Sequence, residues 1–288
     1  MDASELLHAP FVLPDSTPRA SEKTINIAGI LVYLYGVEEL TAAQRDRTTV
    51  LITCHGRTRS HIDSANLAHQ LIYNLGQKDH KNGFVVATMD NRNHGTRAID
   101  TVSIQSWNNG NPTHAQDMLS MVDGICQDVR TIIKYLESYT VGLFTPTAFI
   151  MSGVSLSGHV TWNMLAQEPR IQVAIPIVGT TSLTNLLIDR LAGYKSVSEI
   201  PEGTPEWPKS LEKLYLERDE MLTHIKGKRI LILNGEKDTI VPDKFSKEWI
   251  EKYGPENDLT YYHQEDTGHF VSYYYMNILT EFLLSELN

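Results

Sequence analysis

The sequence predicts an α/β protein with a mostly parallel, doubly wound sheet of about eight strands and a short lid insertion. From residue 25 onward, apolar runs of strand length alternate with stretches of helical periodicity. Several of those runs are apolar throughout, which marks strands buried on both faces. One stretch, Ser152-Gly153-Val154-Ser155-Leu156-Ser157-Gly158, sets a glycine-flanked serine between a strand and a helix. At 288 residues, one large domain buries about three quarters of its unfolded surface. A hydrophobic content of 41% and a charged content of 21% are those of a globular chain. No internal repeat, low-complexity tract or linker divides it. The expected organisation is an extended arm over residues 1–24, then a single domain over 25–288, with the lid at about 180–226.

Pro10, Pro14 and Pro18 and the lack of periodicity around them make the first segment an arm. Ile25 to Tyr35, rich in β-branched and aromatic residues, reads as one or two strands stopped near Gly36. Thr48–Cys54 is a continuous buried strand. Ile62, Ala65, Ala68, Leu71, Ile72 and Leu75 then recur at helical spacing, with Gly76 placed to stop the helix. Phe84–Met89 is a second buried strand. A polar loop with Trp107 follows, and after it Met118, Met121, Val122, Ile125, Val129, Ile132, Ile133 and Leu136 fall on one helical stripe. Thr147–Met151 is the strand before the serine turn, and its helix runs to Glu168-Pro169. Val173–Val178, Leu231–Leu233 and Leu259–Tyr262 read as further strands. The insertion from Gly179 to Lys226 carries Pro201, Pro205, Trp207 and Pro208 and a helix at Leu211–Leu222. A last helix is expected from about Phe270 to Leu287.

The G-x-S-x-G arrangement has mechanical meaning only in a strand–turn–helix context, which this stretch has. The serine then sits on a strained turn that exposes its oxygen, and the residues two before and two after it must be small. Here they are Gly153 and Ser157. The helix beginning beside the serine directs backbone N–H groups and a positive dipole end toward it, which favours anionic intermediates.

Chemistry in a doubly wound sheet collects past the carboxyl ends of its strands. There the sequence places His55-Gly56-Arg57, then Gly235-Glu236-Lys237-Asp238-Thr239-Ile240-Val241-Pro242, and finally Gly268-His269. With Ser155, these turns resemble the α/β-hydrolases, whose triad runs Ser, acid, His in chain order. The likeness covers almost the whole chain from about residue 25. It implies Ser155 as nucleophile, His269 as general base and then acid, and Asp238 as the carboxylate orienting the imidazole. Asp266 and Glu265 are the fallback acids. The resemblance also implies an oxyanion hole from the backbone N–H groups of Leu156 and Arg57, one such donor being worth about 3 kcal/mol. His55, Gly56, Gly153 and Ser157 take supporting roles. Asp90-Asn91-Arg92-Asn93-His94-Gly95 is similar to the Asp-x-Arg-Gly-His-Gly turn of that superfamily, with Asn93 in place of its first glycine. Arg57 or Arg59 is a candidate for a polar or anionic part of the substrate, and Trp107 and Trp207 for the walls of an acyl pocket.

A serine rather than an aspartate nucleophile points to ester, thioester or amide hydrolysis, and the short insertion to small or medium soluble acyl esters. The compact chain looks similar to single-domain intracellular esterases related to dienelactone hydrolases and prolyl oligopeptidases. A thioesterase, an acyl transferase and a lyase of the hydroxynitrile type would use the same triad, and a non-catalytic ligand-binding protein could use the same scaffold. A formal charge of −10 speaks against nucleic acid or an anionic membrane as the main partner. The two cysteines, Cys54 and Cys126, read as buried free thiols of a reducing compartment. No signal peptide, membrane-length apolar run or metal motif stands out, so a cytoplasmic protein without metal or cofactor is expected.

Overall fold

A computed structural model describes residues 7–288. Eight strands form one sheet in the order β1-β2-β4-β3-β5-β6-β7-β8. They are β1 Glu22–Ile27, β2 Ile30–Tyr35, β3 Thr48–Cys54, β4 Gly83–Thr88, β5 Pro146–Val154, β6 Ile171–Ile177, β7 Arg229–Gly235 and β8 Asp258–Gln264. β2 pairs antiparallel with β1 and with β4, and every later pairing is parallel. β1 begins at Glu22, so pairing reaches back into the segment expected to be arm.

Side chains alternate across a strand, and here the alternation serves two cores. In β3, Val50, Ile52 and Cys54 join one cluster and Leu51 the other. In β7, Ile230 and Ile232 face the first, Leu231 and Leu233 the second. That is why these runs are apolar without alternation. Burying one such side chain contributes about 1.5–3 kcal/mol.

The second face is covered by α2 (His61–Gly76) and α8 (Tyr273–Glu286). The first is covered by α3 (His114–Tyr139), α4 (Leu156–Gln167), α5 (Leu183–Ala192), α6 (Lys209–Leu222) and α7 (Lys244–Tyr253). A one-turn helix, α1 (Ala42–Arg45), precedes β3. The β6–β7 connection therefore holds two helices, α5 and α6, and α1 and α7 come in addition to those read from the sequence. No helix among the described residues is long and apolar enough to cross a membrane.

α8 starts three residues later than expected. Ser272 caps it, its Oγ accepting from the Tyr275 N–H and donating to Gln264 Oε1 at 2.5 Å. That leaves His269, Phe270 and Val271 on a loop.

Register brings the functional turns together. Cys54 pairs with Gly153 across β3 and β5, and Gly235 with Gln264 across β7 and β8. The turns after these strands thus leave the same edge of the sheet.

Candidate active site

Ser155 lies between the end of β5 and the first residue of α4, at φ 58° and ψ −111°. This region is strained for any residue with a Cβ. The turn is tight enough to demand small neighbours. A Cβ on Gly153 would run into the carbonyl of Ser157, and one on Gly158 would meet Gly179 Cα at 2.9 Å. Ser155 donates its backbone N–H to the Ile177 carbonyl at 2.9 Å. Leu156 opens α4, so its N–H belongs to the first turn, whose donors have no partner within the helix.

Ser155 Oγ and His269 Nε2 are 2.7 Å apart, as are His269 Nδ1 and Asp238 Oδ2. A carboxylate only accepts, so Nδ1 carries the proton and bare Nε2 accepts from the serine hydroxyl. The other Asp238 oxygen accepts the N–H groups of Ile240 (2.9 Å) and Val241 (2.8 Å). The Asp238 carboxylate is fully buried and the His269 ring 15% exposed, so the acid is shielded while the base reaches the cleft. Gly235 makes this approach possible: a Cβ there would collide with the Thr267 carbonyl, against which the acid turn packs. Lys237 N–H closes that contact on Thr267 O at 2.8 Å. Of the fallback acids, Asp266 and Glu265 are both exposed, and Asp266 is paired with Lys237.

The turn after β3 is held by a network that the sequence reading did not foresee. Asn91 donates its backbone N–H to His55 Nε2 (3.0 Å) and its side-chain amide to the His55 carbonyl (2.8 Å) and Ser157 Oγ (3.1 Å). Ser157 Oγ donates to the same carbonyl at 2.6 Å. His55 Nε2 therefore accepts, Nδ1 carries the proton, and Nδ1 donates to the Gly56 carbonyl at 2.7 Å. Burial pushes the His55 pKa down to about 4, against the opposing effect of that last bond. The ring is neutral near pH 7. Gly56 lies against the nucleophile: a Cβ there would touch Ser155 Cβ at 3.5 Å.

The neighbouring turn after β4 is structural. Asp90 accepts from His61 N–H and from the N–H and hydroxyl of Thr96 at 2.8–2.9 Å. Burial alone would raise its pKa, but these bonds outweigh that and lower it. Arg92 grips Asp128 through Nε and Nη2. Asn93 sits at φ 59°, a left-handed position that asparagine tolerates better than most residues.

A cleft of about 510 Å³ opens over Ser155 and His269. Arg57, Thr58 and Arg59 supply polar lining, and Phe11, Leu67, Phe270 and Val271 apolar lining. Arg59 is thus at the cleft. Arg57 also anchors its guanidinium on the Ile104 carbonyl at 2.9 Å, and burial lowers its pKa. Trp107 and Trp207 correct the expectation, since neither lines the cleft. Trp207 is 3% exposed and stacked on Tyr215, whose hydroxyl donates to the Ala115 carbonyl. Trp107 packs edge-on to His114. Both are loop anchors, drawn inward because a flat ring buries more area against the core than against an open cleft. Cys54 and Cys126 are free and buried, and burial pushes both thiols up to about 12. Among the described residues no three His, Cys, Asp or Glu side chains gather to hold a metal ion.

No family model matches the sequence, and no curated protein matches it. Solved structures do. TT1662 from Thermus thermophilus is similar at a TM-score of 0.67 and 19% identity, over 94% of this chain and 99% of that one. Est1E from Butyrivibrio proteoclasticus, with ferulic acid bound, is similar at 0.58 and 17%, over 92% and 97%. The Pyrococcus furiosus esterase Pf2001 gives 0.56 and 17%, over 96% and 95%. Together with the strand order, these likenesses identify the architecture: the chain has the α/β-hydrolase fold.

Proposed function

We propose that the protein is a serine hydrolase that cleaves small to medium carboxylic esters through an acyl-enzyme. The observation that carries this reading is the unbroken hydrogen-bonded chain Ser155–His269–Asp238, two links of 2.7 Å at the floor of a cleft. Ser155 Oγ adds to the ester carbonyl carbon as His269 Nε2 takes its proton. Asp238 stabilises the imidazolium through the Nδ1 proton. The negative charge on the carbonyl oxygen is met by the N–H groups of Leu156 and Arg57, beside the amino-terminal end of α4. The tetrahedral intermediate then expels the alcohol oxygen, to which Nε2 returns the proton. Water, deprotonated by the same nitrogen, cleaves the acyl-serine and releases the acid. Nucleophile, base, orienting acid and oxyanion donors all come from this chain, so no cofactor enters the scheme. Arg59 is proposed to meet a polar part of the substrate. A cytoplasmic setting is proposed on the two free, buried cysteines, which suit a reducing compartment.

The test is fluorophosphonate labelling followed by mass spectrometry, alongside turnover of nitrophenyl esters from acetyl to decanoyl. Labelling should map to Ser155, and Ser155→Ala should lose both label and turnover. An unlabelled Ser155 in folded protein would remove the hydrolase reading.

A further inference from the structure

The amino-terminal arm is built into the cleft from the side of the catalytic base. Phe11 donates its N–H to the Val271 carbonyl at 2.7 Å, and Pro10 forms a bridge with Ser272. Tyr273 donates its hydroxyl to the Val12 carbonyl at 2.7 Å, and its ring meets Phe11 edge-on at 5.2 Å. On the other side of His269, His8 Nδ1 donates to the Glu265 carbonyl at 2.9 Å, and Gln264 Nε2 donates to the Leu7 carbonyl at 3.2 Å. The arm thus grips the His269 loop before and after the base. Farther along, Thr17 donates its hydroxyl to Gln70 on α2 at 2.9 Å. Pro10 and Phe11 line the same cleft as Ser155, His269, Phe270 and Val271.

Chemistry decides which half of a substrate meets this wall. The group that returns its proton to the leaving oxygen is His269 Nε2, so the alcohol departs on the side of His269. The residues beside His269 at the cleft are Phe270 and Val271, with Phe11 bonded to Val271 and lining the same cleft, and all three are apolar. The polar lining belongs to other elements, the turn from Arg57 to Arg59 and the start of α2 with Asp63, Ser64 and Asn66. We propose that Phe11 forms the leaving-group subsite and selects esters whose alcohol carries an apolar group of about the size of an aromatic ring. This rests on the reading of Ser155 as nucleophile.

Two ester series on the full chain test it. One holds the acyl group as acetyl and varies the alcohol through ethyl, benzyl and 1-naphthyl. The other holds the alcohol as ethyl and lengthens the acyl chain. Phe11→Ala should lower kcat/KM for the benzyl and naphthyl acetates roughly tenfold or more, with ethyl acetate changed by less than about twofold. The acyl-length profile should keep the wild-type optimum, and Ser155 should still take the fluorophosphonate label. Phe11→Leu, a smaller disturbance to packing, should fall between the two on the aromatic alcohols. Equal losses on all alcohols, or a shift confined to the acyl series, would overturn the subsite while Ser155 remains labelled. A wild-type protein whose Ser155 neither labels nor turns over ester would remove the hydrolase reading and the subsite with it.

Discussion

His55 should make the protein acid-labile in a way that one substitution reveals. In the folded chain its ring is 1% exposed, accepts from Asn91 N–H and is held neutral, with its pKa pushed down to about 4 by burial. In the unfolded chain it titrates near the ordinary value of 6.5. Between those values the unfolded state binds the proton and the folded state does not. Stability therefore rises with pH across that window and is lost as pH falls through it. Going from pH 7 to pH 5, linkage gives a loss of about 2 kcal/mol from this one residue. His55→Gln keeps an acceptor for Asn91 and removes the titration. Urea unfolding of both proteins at pH 7 and pH 5 isolates the effect, since other buried histidines such as His114 contribute equally to each. The variant should lose about 2 kcal/mol less than the wild type over that interval. Equal losses would refute a neutral, buried His55.

Two further outcomes concern the serine turn. Ser155→Gly removes a Cβ from φ 58°, so it should raise stability by about 1 kcal/mol in chemical denaturation while abolishing ester turnover. A loss of stability would mean that the turn is unstrained. Gly153→Ala should cost about 2 kcal/mol or more, because its methyl group meets the Ser157 backbone, which cannot move without shifting α4. An unchanged urea midpoint would contradict that close approach.

The sheet and the three turns bearing Ser155, Asp238 and His269 were legible because local signals and tertiary demands agree. Strands with cores on both faces must be apolar throughout, and a serine flanked by small residues between strand and helix has few other uses. The network around His55 was not legible. Asn91 looks like any turn asparagine until β4 is placed beside β3, when both its amide and its backbone reach His55. The docking of the arm was illegible for the same reason in stronger form. Its partners at Val271, Ser272 and Tyr273 lie at the far end of the sequence, and no local pattern in Pro10-Phe11-Val12 announces them. Trp107 and Trp207 misled because an aromatic residue in a loop is apolar whichever way it turns. Their burial was decided by Tyr215 and His114, which periodicity does not connect to them.

Ser157 stands where the G-x-S-x-G motif has its second glycine, and its neighbours explain it. With a glycine at position 157, the His55 carbonyl would keep only the Asn91 amide. With Ser157 it gains a second donor at 2.6 Å, and the Asn91 amide bridges both groups. The turns after β3 and β4, through His55 and Asn91, and the first turn of α4, through Ser157, are thereby tied together where all three residues are buried. Hydrogen bonds in such a low-dielectric setting are stronger than in water, and these hold the turn rigid. The turn so fixed is the one that presents Arg57 to the cleft, so Ser157 acts on the proposed oxyanion donor without touching substrate. Its hydroxyl and the arm's grip on His269 do comparable jobs on the two flanks of Ser155, each setting the backbone from which a reacting group projects.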